Sequence, residues 1–334
     1  MAKVKLIDVA LLAGVSKSTA SQFLNGRFEF MSKDTQERIR AAVGELDYVP
    51  NPIARNLKAH KTKTIGVIVR DITGFYTSKT IRGVDDWCKQ NDYNALIYNT
   101  DFDSAIEAKS LEALYQLRVD GIIIASSGKN TKLIAQYVEK GMPIVQFQLE
   151  HDGSEKNIIL SDYKQAAFDA TEYLIKLGHK RICFVTQDFK KVKSRNERYQ
   201  GYADALNKYD IPLEPALIQY WQRETGLQHS IAQIIKSAAP TAFFAQHLAI
   251  TTDLLSALNQ AQIAIPDDVS LIGFDDLPMA EFFKVPITVI KQEPYMIGVE
   301  AAKLLLNNIS DVNKAAQKIM ISCSLMTRQS CRQI

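Results

Sequence analysis

Residues 9–27 read VALLAGVSKSTASQFLNGR, and this stretch decides the fold of the amino-terminal part. Leu6, Val9, Ala10 and Ala13 recur at the spacing of one helical face. Gly14 follows; glycine takes a positive φ at little steric cost and so turns the chain sharply after a helix. Ser16 then caps a second helix, Lys17–Leu24, with Ala20, Phe23 and Leu24 inward. Small side chains at Ala10 and Ala20 let the two helices approach closely. Two short helices around a glycine corner make a helix-turn-helix, which presents its second helix to the major groove of DNA. Polar positions on and just after that helix, Lys17, Ser18, Thr19, Ser21, Gln22 and Asn25, are the candidate DNA contacts. A third helix begins near Ser32 and turns Ile39, Ala42, Val43 and Leu46 inward, closing a small all-α core.

The charge distribution agrees. The 334-residue chain has a formal net charge of +3. Residues 1–63 hold 11 Lys/Arg against 6 Asp/Glu, and the remainder 29 against 31. A basic head on a near-neutral body is the footprint of a polyanion-binding module, although a merely solvated basic surface gives the same balance.

Residues 46–58 continue LDYVPNPIARNLK. Asn51 as N-cap and Pro52 at the first helical position predict about two turns of helix over 52–58. So short a helix is marginal alone in water and should order only when something packs on it. Its apolar residues Ile53 and Leu57 face no evident core, because AHKTK (59–63) is a polar linker. A leucine flanked by Arg55 and Lys58 suits insertion into the minor groove, where apolar wedges unstack a base step. A linker helix docked on the head is the plainer alternative. Leu57 and Lys58 join the candidate DNA contacts.

From Thr64 the pattern changes to short β-branched runs separated by helical stretches. The runs 64–69, 95–99, 121–126 and 143–147 alternate with helices at 78–90, 105–117 and 131–140. A second series has strands at 181–186, 216–221, 241–246 and 269–276, with helices near 165–177, 198–209, 226–237 and 250–260. Such alternation predicts parallel sheets with helices on both faces, and two series predict two doubly wound lobes. The expected divisions are a head at 1–49, a connector at 50–63 and a two-lobed body at 64–334.

In such sheets ligands bind beyond the carboxyl ends of the strands, here in the cleft between lobes. Phe75 and Tyr76 after the first strand offer stacking faces; Gln148, Trp221, His247 and Asp275 stand at later strand ends; Arg198 opens a helix. Each has a duller alternative as core, surface or cap residue. Enzyme signatures are missing: the sequence contains no GxGxxG, GxxxxGK[ST], GxSxG or HExxH. Five dispersed histidines and four dispersed cysteines without a CxxC give no metal spacing, so neither cofactor nor metal is expected. Unpaired cysteines, an amino terminus without an apolar leader and no run long enough to span a bilayer point to the cytoplasm and away from membranes.

With these residues in view, the chain resembles the lactose-repressor family of bacterial transcription regulators. The likeness rests on 9–27 and 46–58, and in the body on LGHKRI (177–182), RYQGY (198–202), PTAFFA (240–245), IPDDVSLIGFDD (265–276) and PITVIKQ (286–292). It implies a body of the periplasmic-binding-protein type and a homodimer on a near-palindromic operator. It also implies Leu57 as the intercalating leucine, and places Lys17, Ser18 and Gln22 where the family reads bases. In the body it implies that Arg198 and Asp275 hydrogen-bond a small effector, with Phe75, Tyr76 and Trp221 as stacking surfaces and Gln292 nearby. Three positions depart from the family's usual pattern. Gln22 replaces an arginine, which favours adenine over guanine. Gln148 stands where an aspartate is common, and Gln246-His247 where Asn-Asp is common. The last two reduce acidity in the cleft, so a negatively charged effector, such as a sugar acid or sugar phosphate, is expected.

Overall fold

The computed structural model describes residues 4–29, 31–48, 61–150, 157–189, 192–276, 279–311 and 314–334. The chain separates into two compact units, Met1–Thr62 and Lys63–Ile334.

The head contains α1 (Leu6–Leu12), α2 (Lys17–Leu24) and α3 (Lys33–Glu45). Each of the last two starts as a serine cap dictates: the Ser16 hydroxyl accepts the Thr19 N–H at 3.1 Å and Ser32 accepts that of Thr35 at 3.2 Å. Gly14 has φ +63°, as the corner requires. Val9, Ala13, Ile39 and Ala42 form the core, ringed by half-buried residues that include Phe23, Val43 and Leu46. The Arg38 guanidinium donates to the Ala13 carbonyl at 3.1 Å, satisfying an acceptor that the end of α1 leaves open. The helix expected over 52–58, with Leu57 and Lys58, lies outside the described residues.

The body opens with β1 (Thr64–Val69), α4 (Phe75–Gln90), β2 (Asn94–Asn99), α5 (Ser104–Gln116), β3 (Gly121–Ile124), α6 (Thr131–Glu139), β4 (Ile144–Phe147) and β5 (Ile158–Ser161). It continues with α7 (Tyr163–Lys176), β6 (Ile182–Thr186), α8 (Lys193–Lys208), β7 (Ile218–Gln222), β8 (Gly226–Leu227), α9 (Ile231–Ala238), β9 (Ala242–Ala245), α10 (Leu248–Gln260), β10 (Ser270–Phe274) and β11 (Thr288–Lys291). Last come α11 (Pro294–Ser310), β12 (Lys318–Ile321) and β13 (Ser324–Met326).

Two sheets result, ordered β12-β5-β4-β3-β1-β2 in lobe 1 and β13-β11-β10-β9-β6-β7-β8 in lobe 2. Every pairing is parallel except β11 with β13 and β7 with β8. Two lobes were expected as consecutive halves, but the chain passes between them three times. It leaves lobe 1 after β5, returns through α11 to add β12 at the edge of the first sheet, and goes back to place β13 at the edge of the second. Helix α11 packs against α4 through a reciprocal pair of glycines. A Cβ on Gly83 would lie 2.1 Å from the Tyr295 carbonyl oxygen, and one on Gly298 2.0 Å from that of Thr80. Only hydrogen fits at either place.

Two local expectations are corrected. Residues 226–237 do not form one helix: Gly226 sits at φ +74°, which a helix interior excludes, so β8 forms there and α9 starts only after the Ser230 cap. Helix α8 begins at Lys193, which puts Arg198 in its second turn and not at its opening. None of the described helices is long and apolar enough to cross a membrane.

Candidate DNA-reading helix and ligand cleft

On α2, Lys17, Ser18 and Gln22 are exposed, as is Asn25 just beyond it, while Thr19 and Ser21 are half-buried. Thr19 and Ser18 share the Ser16 hydroxyl at 2.8 and 2.7 Å, and the Asn25 amide donates to the Ser21 carbonyl at 2.7 Å. Ser18, Thr19 and Asn25 therefore carry hydrogen bonds that shape the ends of α2. Lys17 and Gln22 present longer side chains on the exposed face, one a cation for phosphate, the other an amide able to pair with a base edge.

In the body, the strand ends of both lobes meet around a cavity of about 500 Å³. Five of the eight sequence candidates line it: Phe75, Tyr76, Gln148, Asp275 and Gln292. Phe75 and Tyr76 sit on the first turn of α4, where the corner that ends at Gly74 delivers them; Phe75 is 43% exposed. Gln148 follows β4 in lobe 1 and Asp275 follows β10 in lobe 2, and both hold left-handed backbones, φ +72° and +75°. Non-glycine residues in that region carry strain that surrounding structure must hold, a property concentrated at binding sites.

A hydrogen-bond relay joins the lobes behind this cavity. The Ser161 hydroxyl, at the first crossing, donates to the Gln292 side-chain carbonyl at 2.6 Å; the Gln292 amide, at the second, donates to the Asp275 carboxylate at 2.5 Å. Burial nevertheless pushes the Asp275 carboxyl up, with Gln292 and Arg198 opposing it.

Arg198 is 8% exposed. Its guanidinium lies 4.0 Å from the Tyr163 ring centroid and 4.3 Å from that of Phe274. One Nη donates to the Ser194 carbonyl at 3.3 Å, while Nε is buried with no hydrogen-bond partner among the described residues. The two rings fix the guanidinium and leave that donor open among the described residues.

Trp221 stands apart from that cavity, at a second one of about 640 Å³ on lobe 2, and His247 lines neither of the two. Trp221 is 4% exposed and its indole donates to Asp253 at 2.5 Å, so most of the ring belongs to the lobe 2 core and only part borders the cavity. His247 caps α10, meets Gln187 at 3.1 Å and stands edge-on to Trp221, centroids 5.3 Å apart. Burial first, then Arg198, Arg195 and Arg223, lower its pKa to about 3, so the ring is neutral.

Arg195 and Arg223 were missed by sequence reasoning, together with Arg70, Ser161 and Tyr163, whereas Arg198 was among its candidates. Arg70 directly follows β1 and Arg223 directly follows β7, so the strand-end rule that found Trp221 reaches them also. Burial lowers the pKa of Arg70 and of Arg195, and Arg70 and Arg198 add to the lowering at Arg195. The Thr73 hydroxyl, assisted across the cleft by Arg223, lowers that of Asp71. Among the described residues none of Arg70, Arg195, Arg198 and Arg223 forms an ion pair.

Residues 5–51 match the family described as "Bacterial regulatory proteins, lacI family", and residues 171–331 match a "Periplasmic binding protein-like domain". The chain is 35% identical to the "Probable HTH-type transcriptional regulator EndR" of Paenibacillus polymyxa, over 90% of this chain and 89% of that protein. The chain belongs to the lacI family. This lacI-family member is also 32% identical, over the whole of both chains, to the "HTH-type transcriptional repressor PurR" of Vibrio vulnificus. Its body is similar to the crystal structure of a LacI family transcriptional regulator from Enterococcus faecium with bound ribose, at 28% identity and a TM-score of 0.70, covering 81% of this chain and 99% of that one. The lacI-family assignment makes this protein a DNA-binding transcriptional regulator with a helix-turn-helix head and an effector-binding body.

Proposed function

We propose that this regulator is a repressor whose grip on its operator is set by a small, negatively charged carbohydrate, such as a sugar acid or sugar phosphate, bound between the lobes. The observation that carries this reading is the convergence of Arg70, Arg195, Arg198 and Arg223 on one cleft without ion-pair partners among the described residues. Arginines that make no direct ion pair with a protein carboxylate can make one with an anion. Phe75 supplies an exposed ring face for stacking on a sugar, and the relative with bound ribose supports a carbohydrate scale of ligand.

In the same reading the head (1–49) reads one half-site, the connector (50–63) places Leu57 in the minor groove, and the body (64–334) dimerises. Met279 and Phe282 on lobe 2 are 66% and 76% exposed, and the lobe 1 edge strand β2 bares Leu96 and Ile97. Exposed apolar patches of that kind suit a two-fold interface. Effector binding shifts the lobes, alters the spacing of the paired connector helices and releases DNA. Isothermal titration calorimetry with a panel of acidic, phosphorylated and neutral sugars tests the effector class; saturable binding of neutral sugars alone overturns it. Selection of bound fragments from genomic DNA tests the operator reading, and failure to retain any duplex at low salt, with or without sugars, overturns that.

A further inference from the structure

One carboxylate oxygen outside both cavities ties the two lobes together. Glu150 follows β4 in lobe 1, and its Oε2 lies 2.6 Å from the ammonium of Lys318 on β12, also in lobe 1. The same oxygen lies 2.9 Å from the ammonium of Lys193, the first residue of α8 in lobe 2. None of these three residues lines either cavity. Neither Glu150 nor Lys193 lies on one of the three crossing segments, so the pair joins the lobes independently of the chain that runs between them. Glu150 is half-buried; burial disfavours its charge, yet Lys318 and then Lys193 hold its carboxyl below the usual carboxylate range. Glu197, one turn further along α8, has its carboxyl pushed up by burial; Lys318 and Lys193 oppose that shift and Glu150 reinforces it. Glu150 and Lys318 from one lobe therefore face Lys193 and Glu197 from the other.

The two limbs of this arrangement are not equivalent. Lys318 and Glu150 belong to one lobe and keep their distance when the lobes rotate as bodies. The Lys193 limb spans the boundary and has to lengthen or break. A partly exposed ion pair is a weak tie, worth a factor of about two to five in an equilibrium constant. That is too little to hold a fold together and enough to bias two arrangements of nearly equal free energy.

We propose that Glu150 and Lys193 form a clasp between the lobes, which favours the arrangement that grips the operator and opens when the lobes shift. The inference rests on the reading above that lobe movement releases DNA, and adds residues outside the effector site that set how readily the movement occurs.

The test is gel retardation of the full chain on an operator duplex selected from genomic DNA, for the parent, Lys193→Gln, Glu150→Gln and the double variant. Unchanged tryptophan emission verifies that each variant is folded. Each single variant is expected to weaken operator binding about threefold. The double variant is expected to be no weaker than the weaker single, because either change alone removes the same contact. Glu150→Gln makes the chain more positive, so a loss of affinity there cannot come from poorer attraction to phosphates. Parent-like affinity in both single variants, or losses that add in the double variant, overturns the clasp and leaves the effector reading standing. Tighter operator binding in both single variants overturns the proposed direction, and with it the reading that lobe movement releases DNA.

Discussion

His247 makes the stability of lobe 2 depend on pH in a way that one substitution isolates. Its folded pKa is about 3 against an ordinary 6.5, because burial and three arginines disfavour the imidazolium. The unfolded chain therefore takes up a proton near pH 6.5 that the folded chain refuses, and stability falls as pH drops below that value. Between pH 7.5 and 5.5 the unfolded state gains about 1.4 kcal/mol from this one group, while the folded state gains almost nothing. The buried His179, also lowered mainly by burial, adds in the same direction, so the variant must be compared with the parent. The assay is urea unfolding at the two pH values followed by tryptophan fluorescence. Both tryptophans, Trp87 and Trp221, lie in the body, and Trp221 touches His247 directly. His247→Gln keeps a side chain able to cap α10 and should lose about 1.4 kcal/mol less than the parent between pH 7.5 and 5.5. Equal losses in the two proteins refute the neutral, buried imidazole.

Four other outcomes are expected. Gly298→Ala forces a Cβ onto the Thr80 carbonyl oxygen and should lower the stability of the body by about 1–3 kcal/mol or more, measured by the same unfolding assay. Arg198→Lys removes the planar group held between Tyr163 and Phe274 and should weaken whichever sugar binds by about tenfold or more in calorimetry, without loss of DNA binding. Gln22→Arg should change the preferred half-site, from adenine towards guanine, more than total affinity, as read by selection from random duplexes; Leu57→Ala should weaken footprinting on the selected operator with sugar binding intact.

The head was legible almost residue by residue, because capping serines, a corner glycine and small crossing residues are local requirements. The strands of the body were legible for a similar reason: β-branched runs bounded by turn residues need no partner to be recognised. What the pattern could not say is which sheet a late strand joins. β12 (KIMI) and β13 (SLM) are three or four residues long, and nothing local distinguishes an edge of lobe 1 from an edge of lobe 2. Arg70, Arg195 and Arg223 escaped for a different reason. An arginine near a strand end reads as solvated surface, and whether it forms an ion pair is a fact of tertiary structure. The same holds for Ser161 and its pairing with Gln292, which lies 131 residues away in sequence and meets it at 2.6 Å.

The threefold passage between lobes also governs how the protein can be made. Lobe 1 starts first and is completed late: β1 is among the earliest body residues to be synthesised, yet the helix that covers α4 and the strand that closes the sheet edge emerge only after nearly all of lobe 2. Until residues 294–321 arrive, the growing chain exposes the apolar face of α4 and an unpaired edge on β5, both liabilities for aggregation. A ribosome stalled before α11 would therefore hold a nearly complete lobe 2 beside an unfinished lobe 1.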